Sequence, residues 1–448
     1  MTSSGARQYF AEYAWLGPGG VVADVLIDVH DGRFESVTAG AVPPVTAQSL
    51  PGLTLPGLAN NHSHAFHRAL RGRTQADRGT FWTWREQMYA VAERLDPDRY
   101  LALARATFAE MALAGVTSVG EFHYLHHGHR GRAYADPNAM GHALVQAARD
   151  AGIRLTLLDT CYLAGGIGQP LAGVQERFGD GSAGRWADRA EAMAQQQTAS
   201  DDVLVGAALH SVRGVPADQM PMVVQWAAER SVPLHAHLSE QIAENEACVA
   251  AYGLTPTQIL NDAAALGPRL SVVHATHLTA GDVGLLGASG ATACLCPTTE
   301  RDLADGVGPA RLLTDAGSPL SLGSDSQAVI DLFEEARGVE LDERLASMTR
   351  GHFTADELLT AATSHSSLGW SDAGRIAPGG RADLVTIRLD SVRTAGCGAS
   401  AETAVFAASA ADVRDVVVGG RAVVRDGQHL TVPDVAAQLQ RAIGVLLP

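Results

Sequence analysis

His62-Ser63-His64 sets two imidazoles two residues apart, just past the apolar run Leu53 to Leu58. Side chains at i and i+2 of a strand point to the same side, so both rings can reach one ion. Three later segments end in the same style. Pro233-Leu-His-Ala-His-Leu-Ser-Glu240, Ser271-Val-Val-His-Ala-Thr-His277 and Leu320-Ser-Leu-Gly-Ser-Asp325 each read as a short buried strand that finishes in a histidine or a carboxylate. Any one of them is explained by ordinary polar residues at a strand end. Together, strand ends that all offer ligands or proton carriers describe one site at the mouth of a parallel barrel. Within Pro233 to Glu240 the two histidines alternate, and only one can be the main ligand. His237 is preferred, because Glu240 lies three residues on and can share the site and carry protons; His235 is then a supporting or core residue. Three histidines and an aspartate suit zinc, with iron(II) or manganese also compatible by ligand type. Water on such an ion reaches a pKa of about 7, so hydrolysis of an electrophilic carbon is the natural reaction.

Composition narrows the chemistry further. The 448 residues can hold a large core, and 46% hydrophobic with 18% charged residues is the balance of a soluble globular enzyme; a small-molecule substrate is expected. A net charge of −16 argues against non-specific nucleic-acid binding and against an anionic membrane surface. It also requires that an anionic substrate be captured by local arginines. The sequence contains no lysine, so all 33 basic residues are arginine. That excludes a Schiff base, a lysine-bound pyridoxal phosphate and a carboxylated lysine bridging two metals, and favours a single divalent ion per chain. Five scattered cysteines suit a reducing compartment, and Cys294-Leu-Cys296 reads as two small apolar residues of a buried strand. Met1-Thr-Ser-Ser-Gly-Ala-Arg7 lacks the apolar core of a signal peptide, and no run approaches the ~20 apolar residues of a membrane span. A cytoplasmic location is expected.

The elements that must position these residues alternate. Eight strand candidates, Leu53 to Asn60, Ser118 to Tyr124, Arg154 to Asp159, Val203 to Leu209, Pro233 to His237, Ser271 to His274, Ala291 to Cys296 and Pro319 to Gly323, are separated by stretches such as Pro97 to Ala114, Ala139 to Ala151 and Ala217 to Arg230 with helical spacing. This predicts an α/β fold, a (β/α)8 TIM-type barrel, over residues 53–374. A doubly wound open sheet is the competing arrangement, but it would spread the ligands, whereas closure brings them together. Residues 1–52 and 375–448 read as short strands with turns, among them Tyr9 to Trp15, Val21 to Val29, Val37 to Val45, Ala382 to Arg388 and Val413 to Val418. They predict a small β-sandwich domain built from both termini.

These segments resemble the amidohydrolase superfamily. The resemblance covers essentially the whole chain: Leu55-Pro56-Gly57-Leu58 before His62-x-His64, His237-x-x-Glu240, His274, Gly323-Ser324-Asp325, and the closing Gly374-Arg-Ile-Ala-Pro-Gly-Gly-Arg-Ala-Asp383 match its deaminase branch. The match implies a metal held by His62, His64, His237 and Asp325, with Glu240 carrying the proton from water to leaving ammonia. It further implies that His274 stabilises the tetrahedral intermediate, and that Asp325 both touches the metal and accepts a hydrogen bond from its water. A closer resemblance, to the formimidoylglutamate deiminase family of histidine degradation, rests on Asn61-His-Ser-His-Ala-Phe66, Thr80-Phe-Trp-Thr-Trp-Arg-Glu86, Gly120-Glu-Phe-His-Tyr-Leu-His-His127 and His210-Ser-Val-Arg213. It implies substrate contacts at Arg85, Tyr124, His210 and Arg213, and at His67, where some members carry glutamine. It also implies a homodimer. Planar guanidinium groups suit the two carboxylates of such a substrate. His123, His126, His127 and His129 read as a loop near the site rather than a second metal centre. A deaminase of a purine or other heterocycle, guanine deaminase-like, is the alternative activity on the same metal site.

Overall fold

The computed structural model describes residues 6–75, 78–79, 81–198 and 200–447, without the side chains of residues 81 and 82. Met1 to Gly5, weighed above for a targeting signal, and the opening of the tryptophan-rich motif at Thr80, with the side chains of Phe81 and Trp82, lie outside the described residues. Eight apolar segments of the middle form the strands of one parallel sheet in chain order: Leu58–Ser63, Val116–His123, Arg154–Cys161, Val203–Leu209, Leu234–Leu238, Leu270–His274, Thr292–Leu295 and Leu320–Leu322. Strands two and three are buried along their whole length, as a sheet covered on both faces requires. The sheet closes between its first and last strands. There the Asp325 N–H donates to the His62 carbonyl at 2.9 Å and the His64 N–H donates to the Asp325 carbonyl at 3.1 Å. The residues that close the barrel are therefore the expected metal ligands themselves.

Helices fill the return paths, and local chemistry sets their ends. The helix Pro97–Leu113 starts where Asp96 accepts from the Arg99 N–H and Pro97 presets the first turn. Ala139–Ala151 stops at Gly152, which takes φ 74°. The helix Phe81–Arg94 differs in what it positions. It follows the segment after the first barrel strand and carries Trp84, Arg85, Met88 and Tyr89 to the barrel mouth.

Both termini contribute to a second, mixed sheet of eight strands. Its order is Gln428–His429, Arg421–Arg425, Val413–Val418, Leu384–Ile387, Gln48–Pro56, Arg7–Trp15, Val21–His30 and Arg33–Thr38. It has its own apolar core, including Tyr9, Val25, Ile27, Phe34, Leu50 and Leu384. The barrel with an accessory β unit from both chain ends is thus the architecture expected. Two element assignments need correction. The apolar stretch Leu53 to Asn60 is two strands, because the chain passes from the outer sheet to the barrel at Gly57, whose N–H donates to the Asp383 carbonyl at 3.0 Å. A Cβ there would lie 2.2 Å from Thr117 Oγ1, so only glycine permits the crossing. The stretch Val37 to Val45 stays extended only to Thr38; Val42 and Val45 are exposed, and the chain turns instead of pairing.

One buried ion pair ties the two units. Arg154, at the start of barrel strand three, meets Asp383 through both Nη atoms; Nη2 lies 2.9 Å from Oδ1, which also accepts the Gly419 N–H at 2.8 Å. No helix among the described residues is long and apolar enough to cross a membrane.

Candidate metal centre and substrate pocket

The strand ends deliver their side chains to one point. His62 Nε2 lies 3.1 Å from His237 Nε2 and 3.2 Å from Asp325 Oδ1, and His64 Nε2 lies 3.4 Å from the same oxygen. One donor atom from each of His62, His64, His237 and Asp325 falls within 4.8 Å of all the others, and all four residues are buried. The chemistry of this donor set fits a divalent ion. His64 Nδ1 faces the Phe122 carbonyl at 3.0 Å and His237 Nδ1 faces the His210 carbonyl at 2.8 Å. A carbonyl can only accept, so each Nδ1 carries the proton and each Nε2 lone pair is turned inward. Burial lowers the pKa of His62, His64 and His237, holding them as neutral ligands. Burial alone would raise Asp325, but hydrogen bonding to His62 and the surrounding imidazoles keep its carboxyl well below the usual range. Three neutral imidazoles and a carboxylate around one point are a metal-ion donor set.

Backbone strain aims these groups. Ser239, His274, Ala275 and Asp325 take φ of 51°, 70°, 51° and 41°, a region that costs a non-glycine residue on the order of 1–3 kcal/mol. All lie at or just beyond the end of a barrel strand, where the chain must turn to present Glu240, His274 or Asp325. A buried polar layer supports the turn from below. Glu121, which burial pushes up to about 8, accepts from Ser63 Oγ at 2.6 Å and from the Ala65 N–H at 2.7 Å. Asn60 donates to Ser324 Oγ at 2.7 Å. Residue spacing gave no sign of Glu121, Asn60 or Ser324, because each acts through a partner distant in sequence.

Glu240 and His274 face each other beside the ligand cluster. His274 Nε2 is 3.7 Å from Glu240 Oε1 and 3.9 Å from Asp325 Oδ2, while Nδ1 is 3.4 Å from Glu300 Oε1. Burial opposes its charge, yet Glu240, Glu300 and Asp325 around it raise its pKa well above the ordinary histidine value. His274 is therefore an imidazolium, able to donate from Nε2 but unable to bind a cation. This separates it from the three neutral ligands.

The pocket in front of the cluster is lined by His64, His237, Glu240, His274 and Asp325 on one side, and by Arg85, Arg213, His67, Tyr124 and His210 on the other. Every residue expected to touch substrate thus lies on the same cavity as the ligands. His67 Nε2 and Tyr124 OH are 3.0 Å apart, and burial lowers His67 to about 3, so its ring is neutral. His210 is kept neutral by burial and by the positive charges of Arg213 and Arg85. Arg85 donates from Nε to Tyr89 OH at 2.8 Å, and Arg213 donates from Nε to Glu244 Oε2 at 3.0 Å. Trp84, from the tryptophan-rich motif, also lines the cavity, as do Met88, Tyr89, Tyr162 and Phe178, which the sequence did not single out. Met88 and Tyr89 could have been found from their i+3 and i+4 spacing from Arg85; Tyr162 and Phe178 carry no local signal.

The remaining histidines do other work. His235 is buried, with Nε2 on the Ser367 carbonyl at 3.0 Å. His126 Nε2 meets the Thr160 carbonyl at 2.9 Å and His127 Nε2 meets Asp180 at 3.0 Å, and the histidines of that loop do not form a metal-like group among the described residues. His274, Cys296 and Glu300 do come within 4.8 Å of one another. However, burial and Cys294 hold the Cys296 thiol protonated, Glu300 Oε1 already accepts the Cys296 N–H at 2.9 Å, and His274 is cationic. That triad lacks the lone pairs of the first group.

Comparison with known proteins agrees with this geometry. The family described as "Amidohydrolase family" matches residues 53–423. The formimidoylglutamate deiminase of Pseudomonas aeruginosa is 36% identical over 98% of this chain and 99% of its own length. The 8-oxoguanine deaminase of the same organism is 31% identical over 89% of each chain. Among solved structures, an amidohydrolase from Brucella melitensis superposes with a TM-score of 0.90 at 31% identity, covering 99% of this chain and 100% of that one.

Proposed function

Since the chain belongs to the amidohydrolase family and is a metal-dependent hydrolase of C–N bonds, we propose that it converts N-formimidoyl-L-glutamate and water to N-formyl-L-glutamate and ammonia. The observation that carries this reading is the pairing of Arg85 and Arg213 on the wall of the pocket that holds the ligand cluster. In a chain of net charge −16, guanidinium groups brought to one cavity are what a dicarboxylate needs. The similarity to a formimidoylglutamate deiminase over nearly the full length of both chains supports the same substrate. A homodimer acting in the cytoplasm is part of the same proposal.

The residues divide the work as follows. His62, His64, His237 and Asp325 would hold one divalent ion, zinc by donor type, which when bound supplies a water nucleophile at neutral pH. Glu240 takes a proton from the attacking water and returns it to the amidine nitrogen that leaves as ammonia. His274, as an imidazolium, donates toward the oxygen being added at the formimidoyl carbon. Arg85 and Arg213 hold the carboxylates, with Tyr124, His67 and His210 fixing the amidine between them and the ion. A purine or other heterocycle is the second reading. It is favoured by the rings of Trp84, Tyr162 and Phe178 along the pocket, which suit a flat base, and by the similarity to an 8-oxoguanine deaminase. Ammonia release from N-formimidoyl-L-glutamate, N-formimidoyl-L-aspartate and guanine, offered side by side, separates the two. The glutamate compound is expected to be the best substrate, and fastest release from guanine would replace the first reading by the second.

A further inference from the structure

Glu244 lies in the first turn of the helix Ile242–Tyr252, is 5% exposed and does not line the pocket. Its Oε2 accepts from Arg213 Nε at 3.0 Å, and its Oε1 is buried without a hydrogen-bond partner. Such a carboxylate is costly to bury, and here it stands close to a second one: Arg213 Nη2 is 3.6 Å from Glu240 Oε2. One guanidinium is thus shared between a carboxylate that moves protons and one that does not.

We propose that Glu244 is a positioning residue for substrate recognition: by holding the Nε edge of Arg213 it keeps the Nη groups turned to the pocket and prevents the guanidinium from closing on Glu240. The physical reason is the rigidity of the group. An arginine offers its donors in a fixed planar fork, so fixing Nε fixes where the other two nitrogens point. If Glu244 loses its charge, Glu240 is the nearest remaining carboxylate along that fork. The guanidinium then swings toward it, and the substrate carboxylate loses its partner.

This inference rests on the reading of Arg213 as a carboxylate clamp, and a double-mutant cycle on the metal-loaded enzyme tests it. Glu244→Gln should raise KM for N-formimidoyl-L-glutamate by about tenfold or more. In an Arg213→Met background the same substitution should change KM by less than about twofold, since the group it acts through is gone. The melting temperature should show the opposite sign. Arg213→Met leaves Glu244 buried and unpaired and lowers Tm; adding Glu244→Gln recovers part of the loss. An equal KM penalty in both backgrounds, or no KM change in the single variant, would overturn the role of Glu244 while leaving the substrate reading intact. No ammonia from N-formimidoyl-L-glutamate with the unsubstituted enzyme would overturn both.

Discussion

On the proposed function, Glu240 and the two guanidiniums at the pocket have separable roles, and single substitutions can tell them apart. Glu240 stands 3.7 Å from His274 and is outside the group of four that could hold a metal, so it can be changed without removing any of the four. Glu240→Gln is expected to lower kcat by about 10²–10⁴-fold, the size of lost acid–base catalysis, with metal content unchanged. Near-normal turnover would show that another group moves the proton. The arginines should affect recognition instead. Losing one charged partner of a buried carboxylate costs on the order of 2–5 kcal/mol, or ~30-fold and more in kcat/KM. Arg85→Met and Arg213→Met should therefore depress kcat/KM for N-formimidoyl-L-glutamate much more than for a carboxylate-free N-alkylformamidine. Equal losses on both would mean that the arginines support the fold or the ligand cluster.

Strand ends are the elements on which the site depends, and the seam between barrel strands one and eight is the most sensitive of them. A Cβ on Gly323 would lie 2.7 Å from His62 Cβ, 2.9 Å from the His62 carbonyl and 3.0 Å from Cys296 Sγ. Gly323→Ala should displace His62 and weaken divalent-metal binding by at least about tenfold in a chelator competition, as disturbing a ligand's support commonly does. Gly284→Ala, in a helix with nothing within 4 Å, is the control and should leave affinity unchanged. The same seam explains what was legible in the sequence. Apolar runs ending in histidine or aspartate announce strands whose last side chains share a face, so the barrel and the meeting of His62, His64, His237 and Asp325 at its mouth were both legible in spacing. The break at Gly57 did not, because the residues on either side are equally apolar and only the approach of Thr117 requires it. Glu121, Glu244 and Glu300 were equally hidden. Each is a buried acid whose role is set by a partner brought in from another strand or helix, and no periodicity records such a meeting.

At the scale of the molecule, the buried Arg154–Asp383 pair bears on both the barrel and the outer sheet. With each side chain no more than 5% exposed, removing one partner leaves an uncompensated buried charge, at a cost of about 3–5 kcal/mol. Asp383→Asn should lower the unfolding free energy read from a denaturant titration by that amount while metal content is retained; an unchanged unfolding free energy would show that this pair does not hold the units together. Closed barrel, neutral imidazoles, imidazolium and arginine wall together form, on the proposed function, a device for hydrolysing one amidine C–N bond. The most direct test is to identify the products of N-formimidoyl-L-glutamate by mass spectrometry beside an ammonia assay, with the Glu240→Gln variant run in parallel. Equimolar N-formyl-L-glutamate and ammonia are expected from the unsubstituted enzyme, with both nearly abolished in the variant. Glutamate with formamide, or no turnover of this compound by an enzyme that releases ammonia from guanine, would contradict that function.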